Sequence, residues 1–533
     1  MSQRWVSGRL RFAQPTPHHD FVPEADEESG RTVPAEVTGW VVAIAMALAT
    51  FAYLGATQPR MLFTDGDSLL PVLLIKSLQS GEAQDWAMSP VLFLPELVIY
   101  GALSALGWTI RETLSANAVV NFLLLYATLR VVSGRRSDRN RGPVPAALVA
   151  FGAFCLLAVF DASSDRSGFA LAFELAMTTH YSATLLAAVL AVGLLRRALT
   201  HPARARGLLR AVGVISAVSA LTNPLYVVWL VVPISAILLL LCVLRRTSLR
   251  LSARAVVALA MGSLLGLLLR LPLSPWIVAQ GKDYVRIDRW VTALDFSAEQ
   301  LGATTSSVGG ALSLALILGL WVASGAAALQ GLRSDRLETA FLGACGFIAP
   351  LIAFAILIVT GTEAARYMQP WAFFPVLALT AAHPWAALPR IRRHRLIPAL
   401  AASCLALTAM VSVPGATAAA TAIDTDLRCA VQWIDGSRRT GAGQFWSARA
   451  PKAYARDQQR VIQVDHRLDV YTWLTNRADR RGAVVTYLIT DANTQPFSYP
   501  IGISESMARR IDCGRYTILD FSPIELPLGP SKP

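Results

Sequence analysis

VTGWVVAIAMALATFAYLGAT, residues 37–57, leads within a few residues to Phe63-Thr64-Asp65-Gly66-Asp67-Ser68. The first run carries no charge and is long enough to cross a hydrocarbon core of ~30 Å. The second places two carboxylates one residue apart on a glycine-containing turn at the membrane surface. Such a pair can act as a base or hold a divalent cation. It can also do no more than shape the turn and cap the helix that follows.

The composition agrees with the first reading. Of 533 residues, 54% are hydrophobic and 16% are charged, against roughly a quarter charged in soluble proteins. The net charge is +13 and Lys occurs four times, so the excess is Arg. The Arg clusters fall between apolar runs. That is the positive-inside pattern of a membrane protein and not a nucleic-acid footprint. The chain reads as a polytopic α-helical membrane protein.

Residues 1–36 are polar and read as a disordered cytoplasmic segment, with no cleavable signal peptide. After the first span comes a long outer loop, 58–112, containing a short helix at about 69–78. Residues 89–108 are apolar but contain Pro95 and Glu96. Counted as a span, they would put Arg135, Arg136, Arg139 and Arg141 outside; taken as an in-plane or re-entrant helix, they restore the charge rule. Further spans fall at about 113–132, 144–160, 177–195, 208–222, 225–244, 255–272, 305–326, 339–360, 367–384 and 396–413. This makes about eleven transmembrane helices, residues 37–413, with a polar loop at 273–304. The N-terminus is expected in the cytoplasm of a cell with a plasma (inner) membrane.

Residues 414–533 change character. Strand-like runs at Arg460–Val464, Ala483–Thr490 and Tyr516–Phe521 alternate with helical stretches at Ile423–Gly436 and Glu505–Ile511. They read as a small extracytoplasmic α/β domain. Cys429 and Cys513 lie there and can form a disulfide if the compartment is oxidising.

Intramembrane and membrane-end ionisable groups are the default functional candidates. On the expected outer face these are Asp65 and Asp67, then Asp161, Asp165, Glu174 and His180, then Arg270, and finally Arg366 with Tyr367. Glu96 joins them from the in-plane helix. Carboxylates can deprotonate an acceptor or bind a metal, and Arg can grip a phosphate. Each has a plainer alternative. His180 can be a polar helix-end residue, Arg270 can snorkel to the surface, and Arg366-Tyr367 can be an interfacial anchor.

The layout resembles the GT-C superfamily, polytopic glycosyltransferases that use polyprenyl-phosphate-linked sugars. The matching pieces are Asp65-Gly66-Asp67, the surface helices at about 69–78 and 89–108, Asp161/Asp165 and Arg366-Tyr367-Met368-Gln369-Pro370. In the C-terminal part they are Gln444-Phe445-Trp446-Ser447-Ala448-Arg449, followed by Arg460-Val461-Ile462-Gln463-Val464. The resemblance implies an inverting sugar transfer to a glycan, lipid or protein acceptor of the envelope, with the donor's lipid chain in a groove between spans. Asp65 or Asp67 would deprotonate or orient the acceptor; Arg366, Arg270 and Tyr367 would hold the departing polyprenyl phosphate. A divalent cation (Mg or Mn), held by Asp65 and Asp67, is compatible but not required.

Two other readings use the same residues: a transporter or flippase of a lipid-linked precursor, and a non-catalytic scaffold. The place of Asp65 separates them. The floor of a cavity favours transfer, acids strung along the midplane favour transport, and no cavity favours a scaffold.

Overall fold

In the computed structural model, residues 25–134, 142–161, 168–278, 285–381, 410 and 412–532 are described, with side chains from residue 34 onward. Asp165, the 135–141 Arg cluster, the 390–395 Arg cluster and the last expected span as far as residue 409 lie outside them.

Among the described residues, eight helices are long and apolar enough to cross a membrane: Pro34–Thr57, Ile110–Val132, Pro143–Phe160, Ser182–Thr200, Pro202–Thr222, Leu249–Leu268, Val308–Arg333 and Leu337–Val359. The chain is a multi-pass membrane protein. The expected span at 225–244 is a shorter apolar helix, Val227–Val243, whose first turn is π-helical. The expected span at 367–384 is described as Pro370–Ala381. Gly262 and Gly266 pack one span onto another: a Cβ would lie 2.2 Å from the carbonyl oxygens of Gly213 and Ala217 respectively. Small residues at this spacing let membrane helices approach backbone to backbone.

Three segments depart from the sequence reading. The first helix begins at Ala25, inside the stretch expected to be disordered; Glu36, three turns further on, is held by Arg130, whose Nε donates at 3.1 Å. The loop at 273–304 contains a helix, Trp290–Thr305. Its buried stripe is Ala293, Ser297, Gln300 and Thr304, at helical spacing but too polar to register as hydrophobic periodicity. Finally, Glu505–Ile511 is not a helix. A 3-10 turn, Glu505–Met507, leads into a strand, Arg509–Cys513. That strand forms a hairpin with Tyr516–Asp520, closed at Gly514, whose φ is +68°; glycine adopts this region without steric cost.

The in-plane reading of residues 89–108 corresponds to an eleven-residue helix, Leu94–Ser104, too short to span. Pro95 sits in its first turn, where a missing N–H costs nothing.

The C-terminal residues form a five-stranded sheet. Thr440–Gly443 lies between Val461–Gln463 and Val485–Thr490, parallel to both. Tyr516–Asp520 and Arg509–Cys513 extend the sheet antiparallel. Helices Thr425–Ser437 and Phe445–Tyr454 cover it, and Cys429 is disulfide-bonded to Cys513. This unit is joined to the first membrane loop by a short antiparallel pairing, Trp86 with Asn476 and Ala87 with Thr475. It also holds helix Leu70–Gln79, whose Lys76 ammonium donates to the carbonyls of Ala453 and Ala455.

Candidate active site

The turn after the first span is built by its own first carboxylate. Asp65 Oδ2 accepts the backbone N–H groups of Asp67 at 3.1 Å and Ser68 at 3.2 Å, the local bonding that makes Asp a turn residue. Thr178 Oγ1 donates to the Ser68 carbonyl at 2.6 Å and so ties the turn to the second loop. Asp67, thus aimed, accepts from Arg366 Nη1 at 2.7 Å. Arg366 comes from the 3-10 turn Ala365–Met368, which follows the span Leu337–Val359, and lies 5.8 Å over the Tyr181 ring.

Asp67, Arg366 and Tyr181, but not Asp65, line a cavity of about 250 Å³. Its polar side is Asp67, Arg366, Tyr367, Thr179, Tyr181 and Asn223. Its apolar side is Val91, Leu225, Val228, Ile356 and Leu357, and the C-terminal unit adds Trp473 and Leu474. The lining therefore offers contacts both to a hydrocarbon chain and to a charged group.

Burial pushes the Asp67 carboxyl upward, but Arg366, His180 and Arg449 together hold it below its ordinary value. His180 behaves oppositely: burial first, then the Arg366 charge, lowers its imidazole to about 3 against the pull of Asp67. It is neutral near pH 7. Its Nδ1 is buried without a hydrogen-bond partner. Asp65, Asp67 and His180 each offer one ligand atom, all within 4.8 Å of one another. Two carboxylates and a neutral imidazole suit a divalent cation such as Mn²⁺ or Mg²⁺.

The remaining sequence candidates separate by what they touch. Glu174 is buried and accepts from Gln369 Nε2 at 2.6 Å; the same amide nitrogen reaches the His180 carbonyl at 2.9 Å. Burial raises the Glu174 carboxyl to about 8 despite this bond and the Arg366 charge. Asp161 accepts from the N–H groups of Ala172 (2.7 Å) and Phe173 (3.2 Å) and from Ser313 Oγ (2.6 Å), so it braces the second loop. Glu96 Oε1 accepts from Ala183 N at 3.2 Å, at the start of the helix Ser182–Thr200, where a carboxylate complements the helix dipole. Arg270 donates to the carbonyls of Leu221, at 2.7 Å, and Pro90, at 2.5 Å; it holds the backbone behind the cavity wall. Tyr367 lines the cavity, and its carbonyl accepts from Trp229 Nε1 at 3.0 Å.

Several residues of the site carry no signal by themselves in the sequence. Phe93 and Tyr181 stack at 6.1 Å and both hold positive φ, +52° and +62°. Left-handed backbone at bulky residues is strained and concentrates at functional sites. Both face the same cavity. Gln369 lies within the quoted Arg-Tyr-Met-Gln-Pro run but only the fold gives it partners. Trp473, from the C-terminal unit, lines the cavity in the structure.

Two solved structures are similar to this chain. One is the Archaeoglobus fulgidus oligosaccharyltransferase in its apo form, with a TM-score of 0.46 and 11% identity over 84% of this chain and 69% of that one. The other is ArnT from Cupriavidus metallidurans bound to undecaprenyl phosphate, with a TM-score of 0.44 and 13% identity over 94% of this chain and 99% of that one. No protein-family model matches the chain, and no curated protein does.

Proposed function

We propose that the chain is a membrane glycosyltransferase that moves a sugar from a polyprenyl-phosphate donor to an envelope acceptor on the outer face of the membrane. The observation that carries this reading is the Asp67–Arg366 pair in a cavity whose lining is both apolar and charged. The acids and bases converge at one end of the bundle, where spans end or begin; a transport path would string them along its length.

Asp67, kept ionised by Arg366, orients the acceptor hydroxyl and takes its proton as the bond forms. The acceptor oxygen attacks the anomeric carbon from the side opposite the phosphate. The carbon–oxygen bond to phosphate breaks, its electron pair leaves with the polyprenyl phosphate, and the anomeric configuration inverts. Arg366 has five N–H donors in a planar fork; one is on Asp67, and the fork can bridge that carboxylate to the departing phosphate. The apolar wall takes the isoprenoid. Asp65, Asp67 and His180 would hold a divalent cation, which when bound adds positive charge beside the leaving phosphate.

The test is an envelope glycan and glycolipid profile of a deletion strain complemented at matched protein level. Wild type should restore a missing sugar; Asp67→Asn and Arg366→Gln should not. Full restoration by Asp67→Asn would remove the assignment.

A further inference from the structure

Arg449 is fully buried, at 0% exposure, on the helix Phe445–Tyr454 of the C-terminal unit. Its Nε donates to the carbonyl of Gly66 at 2.9 Å, between the two carboxylates of the turn. Its Nη1 donates to the carbonyl of Leu474, the neighbour of Trp473 in the cavity wall. We infer that Arg449 is a positioning residue: one guanidinium clasps the Asp65-Gly66-Asp67 turn to the Trp473-Leu474 loop, so the C-terminal unit sets the geometry of the site.

A buried charge is retained only where bonds and opposite charge compensate it. The charges that offset burial of Arg449 are Asp67 and Asp65. Its Nη2 is buried with no partner, so simple core packing would favour an apolar residue here. The two carbonyls it does hold are separated by some four hundred residues and belong to the two halves of the molecule. Leu474 sits at φ +51°, a conformation that a Leu keeps only when neighbours impose it. The Arg449 bond to its carbonyl is such an imposition. Phe445, 5.1 Å below the guanidinium, also packs against Gly66, where a Cβ would lie 2.8 Å from its ring. A Lys could keep the charge but not the fork that reaches both carbonyls.

The functional half of this inference rests on the transferase reading; the structural half does not. Wild type, Arg449→Lys and Arg449→Met of the full chain in nanodiscs should be compared by hydrogen exchange. Arg449→Met should speed exchange in residues 63–69 and 472–476 by about tenfold or more, with strands Val485–Thr490 and Tyr516–Asp520 still protected. Undecaprenyl phosphate, used as the probe, should bind this variant within ~threefold of wild type, because Arg366 is untouched, yet the variant should fail to restore the envelope glycan. Arg449→Lys should loosen at least one of the two segments. Wild-type exchange at both segments in Arg449→Met, or full glycan restoration by it, overturns the inference. If Arg449→Met also unprotects the control strands, Arg449→Lys decides, and wild-type exchange at both segments in that variant overturns it. A wild-type chain that binds no undecaprenyl phosphate, with an unchanged glycan profile on deletion, removes the transferase reading alone.

Discussion

Arg366 Nη1 meets Asp67 Oδ2 at 2.7 Å across 299 positions of sequence. Under the proposed transfer, this contact joins the group that would receive a proton to the group that would hold the leaving phosphate. Loss of either removes the ion-pair partner of the other. Arg366→Lys keeps the charge but not the planar fork, and should lower transfer about 100-fold, the scale of losing one oriented donor to developing charge. Asp67→Asn should cost as much, and the double variant little more than either. Sugar transfer by membranes of the complemented strains measures all three.

Gly66 is required by what approaches it. An added Cβ would stand 2.8 Å from Phe445 Cε1 and 3.0 Å from Trp446 Cε3. Gly66→Ala should destabilise the contact between turn and C-terminal unit by about 1–3 kcal/mol. Phe445→Leu in the same chain should recover part of that loss. Thermal unfolding in detergent reads both, and an unchanged midpoint for Gly66→Ala would contradict the packing described.

The disulfide Cys429–Cys513 spans 84 positions and pins the helix Thr425–Ser437 to the hairpin at Gly514. From that hairpin Arg515 Nη1 reaches Thr64 Oγ1 at 3.2 Å, next to Asp65. Cys429→Ser should lower stability by about 2–4 kcal/mol. The loss should match that of the wild type under reductant, which unfolding with and without dithiothreitol would show.

Glu174 gives a pH dependence of defined sign. Its folded-state carboxyl titrates at about 8 against an ordinary 4.5 because burial disfavours the charge. The folded chain therefore binds a proton the unfolded chain has released, and this stability is present below pH 4.5 and lost as pH rises to about 8. His180 acts with the opposite sign, since its depressed value costs stability as pH falls below 6.5 toward 3. Subtracting the Glu174→Gln curve from wild type isolates the first effect. The difference should shrink steadily from pH 5 to 8; a flat difference would place Glu174 in water.

His180 Nδ1 is buried without a hydrogen-bond partner, and the His180 ring offers a ligand atom within 4.8 Å of those of Asp65 and Asp67. If it is a cation ligand, His180→Gln should weaken Mn²⁺ binding by at least ~10-fold, as losing a ligand does, while Asp161→Asn should not. Manganese resonance spectra of the purified chain give both affinities.

Long uncharged runs and the Arg clusters between them make the membrane-spanning character legible in the sequence, because crossing a bilayer demands ~20 apolar residues in a row. The start of strand Arg509–Cys513 reads locally as part of a helical stretch, Glu505–Ile511, since its pairing partner, and not its propensity, decides its conformation. The polar-faced helix Trp290–Thr305 was invisible for want of apolar periodicity.

The candidate site divides along the same line. Asp65-Gly66-Asp67 and Arg366-Tyr367 stand out locally, as charges at the ends of apolar runs. Nothing local says that Asp65 builds the turn while Asp67 faces the cavity, or that Asp161 and Arg270 hold backbone. Nor does it show that Trp473 comes from a distant segment to complete the cavity lining, that Arg449 reaches the Gly66 carbonyl or that Gln369 meets Glu174. Composition and periodicity act over a few residues and determine which segments enter the membrane. Hydrogen bonds and ion pairs act between whichever side chains the packed helices bring within about 3 Å, and only the tertiary structure decides those pairs.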